Sequence, residues 1–494
     1  MTDLSHPAPQ LSAGDAERLA KEIFGVTAKA SPLDSERDRN YRLKTEVDAG
    51  WILKIVNSSE PRIESEFQTA LLNHLAGANS ELVVPHLKPS LSGDFLASTT
   101  AANGETHALR LVGWLAGTPL AEVGRTIELM RSLGRSLGEL DRALQGFIHP
   151  GALRELDWDL RHAARARSRL HFVRDGARRA ILERFIERFE TLVEPKLSRL
   201  RAQVIHNDAN DWNVLVDEHN NQRISGVIDF GDAVHTVLIA EVAIACAYSI
   251  LDMEDPIGAA AALAAGFHER YPLQAEEIDI LFDLIAMRLV TSVTFSASRH
   301  EQTGDNPYLA ISEAPAWRLL EKMDGMNPRF ATAVLRKACG FDAVEGAGAV
   351  RHWIADNSKS FADIVRPAAA TMSKAIVPYG DASHIMTVAS AEQRPQEATK
   401  WWTDYAEEHK IELGVGSWGE KRTVYTDKAF ESRFIEGKRR IHHLGVDLFM
   451  PAGTPLYAPV AGTVRSVEIE HEPLGYGGLI SLEHAPDGCP SFVT

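Results

Sequence analysis

Two short apolar runs, each leading into a loop of acidic and amide side chains, constrain this chain more than any other feature. Residues 202–205 lead into the loop 206–213, and residues 224–228 lead into the loop 229–232. Short β-branched runs that end in polar residues predict strands followed by loops. Both loops can therefore face one cleft, where their carboxylate and amide side chains would form a common site.

Carboxylate and amide oxygens in this order suit phosphoryl transfer from ATP. A transferring γ-phosphoryl group spreads negative charge, which a metal ion and fixed donors neutralise while a carboxylate orients the attacking hydroxyl. We expect Asp208 in the first loop to be that carboxylate, and Asn213 and Asp229 to hold Mg²⁺. His206 is expected to brace the first loop, because Asp208 already has the role of proton acceptor. Each residue alone is common in loops, so the prediction rests on the joint pattern.

The joint pattern resembles that of a known family, the aminoglycoside phosphotransferase-like kinases. The match is position for position: His-x-Asp-x-x-x-x-Asn from residue 206, then Ile-Asp-Phe-Gly-Asp from residue 228. The resemblance covers residues 1–340 and implies an α+β, bilobal protein-kinase-like fold that uses ATP and Mg²⁺ to phosphorylate a small molecule. It implies a flexible tail (1–14), an N-lobe (15–115) and a helical C-lobe with the catalytic loop (116–340). Within the family, similarity to the hydroxylysine kinases lies in the runs 137–144, 147–150, 158–160, 228–232 and 241–245.

A kinase of this kind also needs a strand lysine for the nucleotide phosphates and a helix glutamate to steady that lysine. Residues 41–47 and 51–56 flank the turn signal Asp48-Ala49-Gly50 and predict a hairpin that presents Lys54. Residues 63–75 have the apolar spacing of a helix that starts with Glu64 and Glu66. Either could be the partner of Lys54; the family register favours Glu66, and Glu64 is equally explained as a solvated first-turn acid.

The segment 35–40, where the family has its phosphate-covering loop, contains no glycine. Because glycine lets backbone N–H groups approach phosphates closely, its absence predicts a looser cover that uses Ser35 or Asn40. Residues 108–115 predict the last strand of the small lobe and the hinge, to which adenine would bind by family analogy.

The acceptor pocket is expected in the helical lobe. Arg288 is a single cation in an otherwise apolar helix, where it could bind the carboxylate of an amino acid substrate. The alternative is that Arg288 pairs with a carboxylate of its own lobe. Asp232 could meet a cationic amine, as could Asp157 and Asp159, although solvation is the default for such acids. Tyr248 and the Trp residues are interpreted as core. Helices are predicted over 125–146, 160–200, 255–270 and 275–298.

The expected acceptor is a hydroxylated amine such as hydroxylysine or ethanolamine. The net charge of −16 is compatible with a cationic substrate and disfavours nucleic acid or an anionic membrane as main partner. Two alternatives remain open: an aminoglycoside acceptor, and a nucleotide-binding scaffold without turnover, which the glycine-free loop favours. The intact set of chemical residues favours an enzyme.

Beyond residue 340 the composition changes, and the runs 346–348 and 391–397 predict junctions. The sequence from His443 to Asp447 and the Pro/Gly-rich run after it resemble the opening of M23 (LytM-type) zinc peptidases. The resemblance implies that His443 and Asp447 are zinc ligands, with a third ligand from a later His-x-His motif. The chain ends before such a motif, so we expect an incomplete zinc site and no peptidase activity. The predicted organisation is a connecting region (341–425) and an incomplete all-β, M23-like domain (426–494).

Kinases of this type can be fused through such a module to a class III aminotransferase-like enzyme. The resemblance therefore implies a further PLP-dependent partner domain that would eliminate phosphate from the product. A cytoplasmic protein is expected, because the sequence has no secretory signal and no apolar run that approaches a membrane span. The three cysteines are far apart and predict neither a disulfide framework nor a metal cluster.

Overall fold

The computed structural model describes the chain in nine stretches. These are residues 8–35, 37–46, 50–78, 83–303, 307–377, 395–422, 430–431, 439–471 and 476–494. Several predicted features lie outside the described residues: residues 1–7 of the tail, 48–49 of the turn, 391–394 of the second junction and 426–429 of the β domain.

The chain divides into two compact units, Met1–Ala343 and Val344–Thr494. The first unit starts with helix α1, Ala13–Phe24, whose N-cap Ser12 and Asp15 form a capping box. An antiparallel sheet follows in the order β1-β2-β3-β6-β4, with β5 also paired to β6. Helix α2, Arg62–Gly77, lies between β3 and β4 in the chain. The strands are β1 Lys29–Leu33, β2 Arg39–Lys44, β3 Trp51–Ile55, β4 Leu87–Lys88, β5 Ala97–Thr100 and β6 Thr106–Gly113.

The predicted hairpin is formed by β2 and β3, which pair antiparallel with Tyr41 opposite Leu53. Alternate residues of the sheet are buried against α1, as the period of two in a half-buried strand requires. Lys54 belongs to the opposite face of β3 from Leu53 and lies across from Asn40 of β2. The sheet therefore presents Lys54 on the side away from the α1 core.

The second half of this unit is helical. Helices α3 and α7 pack closely, because Gly134 faces the carbonyl of Leu263 at a distance that would not admit a Cβ. The helices are α3 Ile127–Ala143, α4 Gly176–Arg188, α5 Glu194–Leu197, α6 Ile239–Ser249, α7 Pro256–Arg270, α8 Ala275–Ile278, α9 Leu281–Thr303, α10 Pro307–Asp324 and α11 Pro328–Ala338.

The prediction of one helical stretch over 160–200 was wrong in detail. A 3-10 segment covers Leu160–Phe172, and α4 starts only after Asp175, whose carboxylate caps it. A π turn, Phe189–Val193, joins α4 to α5. Apolar spacing cannot distinguish a 3-10 segment from a continuous α-helix, whereas the cap and the π turn interrupt the helix locally.

Two small sheets position the predicted loops. Strand β8, Ala202–Ile205, pairs antiparallel with β11, Val234–Val237. Strand β9, Val214–Asp217, pairs with β10, Asn220–Val227, and with β7, Thr118–Pro119. The strand predicted at 202–205 is confirmed, and the one predicted at 224–228 is the second half of β10.

Helix α9 runs through the helical lobe. By length and composition alone its stretch Leu281–Glu301 could cross a membrane, which contradicts the expectation that no run approaches such a span. However, 83% of the apolar window is buried inside the protein. This burial is the pattern of a core helix.

The second unit contains α12 Ala347–Asn357, α13 Pro395–Glu408 and two small sheets. One sheet pairs β12 Lys374–Ile376, β13 Leu413–Gly416 and β14 Asp447–Phe449. The other pairs β15 Thr463–Ile469, β16 Gly478–His484 and β17 Phe492–Val493. The strands after residue 426 agree with a β-rich region, while its assignment as an M23-like domain stays a prediction.

Candidate active site

The loop after β8, residues 206–213, is called the catalytic loop, and residues 229–232 are called the metal loop. His206 joins the two loops: its Nε2 donates to the carbonyl of Ile228 at 2.9 Å, and its Nδ1 accepts from the backbone N–H of Asp208 at 3.2 Å. Its ring also meets Phe230 edge to face. Burial lowers the pKa of His206 to about 4, so the imidazole is neutral. With these contacts His206 braces the catalytic loop, which is the role that we predicted for it.

A buried glutamate that sequence reasoning did not single out holds the catalytic loop from behind. Glu241 of α6 accepts a hydrogen bond from the backbone N–H of Asn207 at 3.0 Å. Asn207 has a left-handed φ of 65°, and its side chain donates to the carbonyl of Asp232 at 3.2 Å. A non-glycine residue in this conformation is costly and persists only where several contacts hold it. The bend of the loop at Asn207 directs Asp208 toward the cleft.

Asp208 is surrounded by donors. Its Oδ1 accepts from Nη2 of Arg288 at 3.0 Å, and its Oδ2 accepts from the side-chain amides of Asn210 at 3.0 Å and Asn213 at 2.8 Å. Burial raises the pKa of Asp208 to about 8; Arg288 opposes this rise, and the neighbouring Asp232 and Asp229 add to it. The predicted proton acceptor is thus a fixed, strongly basic carboxylate.

Arg288 pairs with a carboxylate of its own lobe, which is one of the two interpretations left open by the sequence. It is almost fully buried on α9, and besides Asp208 it donates to the hydroxyl of Tyr248 at 3.1 Å and to the carbonyl of Trp158 at 2.9 Å. Its guanidinium also faces the rings of Trp158 and Tyr248. With three of its nitrogens engaged, Arg288 orients Asp208, and the structure gives it no open edge for a substrate carboxylate.

The two predicted metal ligands come together beside Asp208. Asn213 donates through Nδ2 to the backbone carbonyl of Asp208 at 2.9 Å, and its Oδ1 accepts no hydrogen bond from any described residue. Asp229 has a left-handed φ of 59°, and Lys54 lowers its pKa to about 2, although desolvation opposes this. A permanently ionised carboxylate and a free amide oxygen are the hard ligands that Mg²⁺ prefers. The residues present therefore fit the divalent metal that this pattern implies.

The predicted pair of Lys54 and Glu66 is not formed. The ammonium of Lys54 contacts Oδ1 of Asp229 at 3.0 Å, whereas Glu66 pairs with Arg62 one helical turn earlier at 2.9 Å. Glu66 is exposed on α2, whereas both of its neighbours, Ser65 and Phe67, are buried. Glu64 is not a merely solvated acid either, since it pairs with Arg154 at 2.7 Å.

The remaining predicted residues are placed as follows. Ser35 is exposed in the turn between β1 and β2, and Asn40 faces Lys54 across the hairpin. The carboxylate of Asp232 forms no hydrogen bond or ion pair with the part of the chain that is described; burial raises its pKa, and Arg154 opposes this. Asp159 is buried and accepts hydrogen bonds from Thr236 and Arg161, so it is not free for a substrate amine.

Three half-buried aromatic residues form what we call the acceptor wall, which starts at Arg288, the partner of Asp208: Trp158, Tyr248 and Phe295. The rings of Trp158 and Phe295 are tilted against each other with centroids 4.6 Å apart. The interpretation of Tyr248 as core packing was incomplete, since its hydroxyl binds Arg288. The sequence contains no motif for this wall, because its members come from three separate segments.

The second unit brings its two predicted zinc ligands together. Nε2 of His443 lies 3.4 Å from Oδ1 of Asp447, and Asp447 also pairs with Arg422 at 2.6 Å. No group of three or more His, Cys, Asp or Glu side chains that could hold a metal occurs among the described residues. The assignment of His443 and Asp447 as zinc ligands of an incomplete site therefore stays a prediction.

Comparison with known proteins agrees with the kinase pattern found in the first unit. Residues 29–278 match the model of the phosphotransferase enzyme family (APH). Hydroxylysine kinase of Xenopus laevis is 30% identical over 350 residues, which cover 66% of this chain and 92% of that protein. Hydroxylysine kinase of Mus musculus is 27% identical over 343 residues, with 65% and 91% covered.

Among solved structures, a microcompartment-associated aminopropanol kinase aligns with a TM-score of 0.46 and 18% identity, covering 67% of this chain and all of that one. That similarity is too weak to assign a function. The family match spans half of the chain and contains the catalytic and metal loops. This chain therefore belongs to the APH family of phosphotransferase enzymes, whose kinase chemistry uses ATP and a divalent metal.

Proposed function

We propose that the first unit is a Mg²⁺- and ATP-dependent phosphotransferase that phosphorylates the hydroxyl of an amino alcohol or hydroxy amino acid, such as ethanolamine or hydroxylysine. The observation that carries the proposal is the arrangement of Asp208. Its carboxylate is held from both sides, within a cluster that also includes Asn213, Asp229 and Lys54. The identity to hydroxylysine kinases supports the acceptor class.

Asp208 would orient the acceptor hydroxyl and take its proton as the hydroxyl oxygen attacks the γ-phosphorus and ADP leaves. Its raised pKa of about 8 makes the carboxylate a stronger proton acceptor in its ionised form. Arg288 keeps the carboxylate in one orientation, and Asn213 ties the same carboxylate to its own backbone. The attacking oxygen is thus aligned by a rigid base.

Asn213 and Asp229 would hold the Mg²⁺, which neutralises charge on the phosphates. Lys54, which lies against Asp229, is proposed to bind the nucleotide phosphates. Ser35 of the β1–β2 turn and Asn40 of β2 are proposed to cover them. Asp232, whose carboxylate has no partner among the described residues, is proposed to bind the ammonium group of the acceptor.

The test is ATP consumption by the purified chain with Mg²⁺ across a panel of hydroxylysine, ethanolamine, choline, homoserine, threonine and aminoglycosides. Turnover of a hydroxylated amine that is lost in Asp208→Ala supports the proposal. Preference for an aminoglycoside would instead support antibiotic phosphorylation. Nucleotide binding without turnover of any acceptor would support the scaffold alternative.

We further propose that the second unit is an M23-like module without peptidase activity. His443 and Asp447 adjoin each other, but Asp447 also pairs with Arg422. Metal analysis of the purified chain tests this, and one tightly held zinc per chain would contradict it.

The fusion resemblance adds the proposal that a PLP-dependent enzyme consumes the phosphorylated product. Release of phosphate from that product by such an enzyme would test the last step.

A further inference from the structure

Three cations around the candidate active site are committed to protein partners. Arg288 binds Asp208, Lys54 binds Asp229, and Arg154 binds Glu64. Arg169, by contrast, makes no hydrogen bond and no ion pair with any residue of the described stretches. Its Nε is fully buried without a partner, although the residue as a whole is only half-buried.

Arg169 lies at the far end of the acceptor wall. Its guanidinium carbon is 3.8 Å from the centroid of the Phe295 ring, and Phe295 is in contact with Trp158. The ring of Trp158 in turn faces Arg288, the residue that binds Asp208. Aromatic side chains thus connect the Asp208 end of the wall to Arg169.

The spacing along α9 gives the length of this wall. Phe295 follows Arg288 by seven residues, which is two helical turns, so both belong to the same face and are separated by about 10 Å along the axis. Arg169 and Asp208 contact these two positions from outside the helix. An acceptor that spans the wall must carry several carbon atoms between its hydroxyl and the group that reaches Arg169.

The chemistry of Arg169 selects that group. A partly buried guanidinium without an ion-pair partner is unfavourable, and here burial lowers the pKa of Arg169 while the charge of Asp157 opposes this. The guanidinium lies over the Phe295 ring, and no described residue accepts a hydrogen bond from its edge. The ligand that best matches such an edge is a planar anion, because two parallel hydrogen bonds can form.

We propose that Arg169 binds the carboxylate of a hydroxy amino acid whose hydroxyl lies at Asp208. The acceptor class is then a long hydroxy amino acid, as opposed to a simple amino alcohol, and the methylene chain lies along Trp158 and Phe295. This inference rests on the proposed function and narrows it. It assigns acceptor specificity to a residue that the sequence pattern did not mark.

The test compares 5-hydroxylysine with its decarboxylated analogue, 1,5-diaminopentan-2-ol, in the full chain. Arg169→Met retains a long side chain over Phe295 but removes the charge. We expect the ratio of kcat/KM for hydroxylysine to kcat/KM for the analogue to fall about 10-fold to 100-fold, through KM, because one charge-assisted contact is lost. Arg169→Lys is expected to restore part of the ratio.

The matched control is Arg167→Met, because Arg167 belongs to the same 3-10 segment but is paired with Glu190 at 2.6 Å. The control should keep the ratio of the parent. An Arg169→Met ratio equal to that of the parent, with the parent active, would overturn the inference alone. A parent that turns over ethanolamine but not hydroxylysine would also overturn the inference alone. A parent without turnover of any acceptor in the panel would overturn the proposed function and the inference with it.

Discussion

The catalytic loop and the metal loop each present an aspartate to the same cleft, and the two carboxylates are tuned in opposite directions. Burial raises the pKa of Asp208 to about 8, although Arg288 is bound to it. The ammonium of Lys54 lowers the pKa of Asp229 to about 2, although burial opposes it. The side chain of Asp229 is 52% exposed, against 22% for Asp208.

Aspartate can thus serve two tasks in one site, cation binding and proton acceptance. A carboxylate that stays ionised at every working pH suits a cation, while a carboxylate with a raised pKa suits the acceptance of a proton. Both carboxylates lie 3.0 Å from their cations, so the smaller exposure of Asp208 accounts for the difference: its desolvation outweighs Arg288, whereas at Asp229 the attraction of Lys54 outweighs desolvation. Variants of these two residues and of their neighbours test the difference in pKa between Asp208 and Asp229.

The largest effect is expected at the base. Asp208→Ala should lower kcat by about 10⁴-fold while largely sparing nucleotide binding, because it removes the proton acceptor and leaves the metal loop intact. Single-turnover assays and nucleotide titration measure the two quantities. Equal turnover in this variant and the parent would refute the mechanism.

The next largest effect on activity is expected at Asp229 of the metal loop. Asp229→Ala should lower kcat/KM by about 10³-fold and, unlike Asp208→Ala, should also weaken binding of the Mg²⁺–nucleotide complex. It removes a metal ligand and leaves Lys54 without its partner. Titration of nucleotide with and without Mg²⁺ checks this. If affinity for Mg²⁺–ATP is unchanged, Asp229 does not hold the metal.

Removing the cation from Asp208 should sharpen the contrast further. Arg288→Met is expected to raise the pKa of Asp208 above about 8, because Arg288 is the group that lowers it. Activity that depends on the ionised base should then require a higher pH, with kcat reduced about 10-fold to 100-fold at neutral pH. The pH profile of kcat/KM measures the shift.

Arg188→Met is the control for that experiment, because Arg188 forms a comparable pair with Asp283 of α9 at 2.9 Å. Its loss should lower stability without moving the pH profile. Identical profiles for Arg288→Met and the parent would show that Arg288 does not set the basicity of Asp208.

The smallest effect concerns the brace between the loops. Because the pKa of His206 is about 4 in the folded protein and about 6.5 in an unfolded chain, the unfolded state binds the proton first as the pH falls. Stability should therefore decrease by about 3 kcal/mol between pH 6.5 and pH 4. His206→Asn should lack this component in urea unfolding curves. An unchanged slope would place the pH dependence elsewhere.

Much of the first unit follows from local patterns. The β2–β3 hairpin and β8 were predicted because alternation and turn residues act over a few neighbouring positions. The grouping of Asp208, Asn213 and Asp229 followed from spacing within two short loops. The partner of Lys54 did not follow, because Lys54 pairs with Asp229, which lies 175 residues further along the chain, and with neither Glu64 nor Glu66 of α2.

The sequence by itself thus determined which residue types carry the chemistry, their order, and the strands that present them. The tertiary structure alone decided the partners: Arg288 on Asp208, Glu241 behind the catalytic loop, and Arg169 at the end of the acceptor wall. The physical reason is the distance along the chain over which each interaction acts. Strand and loop preferences arise from adjacent residues, whereas burial and ion pairing depend on segments far apart in the chain, which meet only when the fold closes.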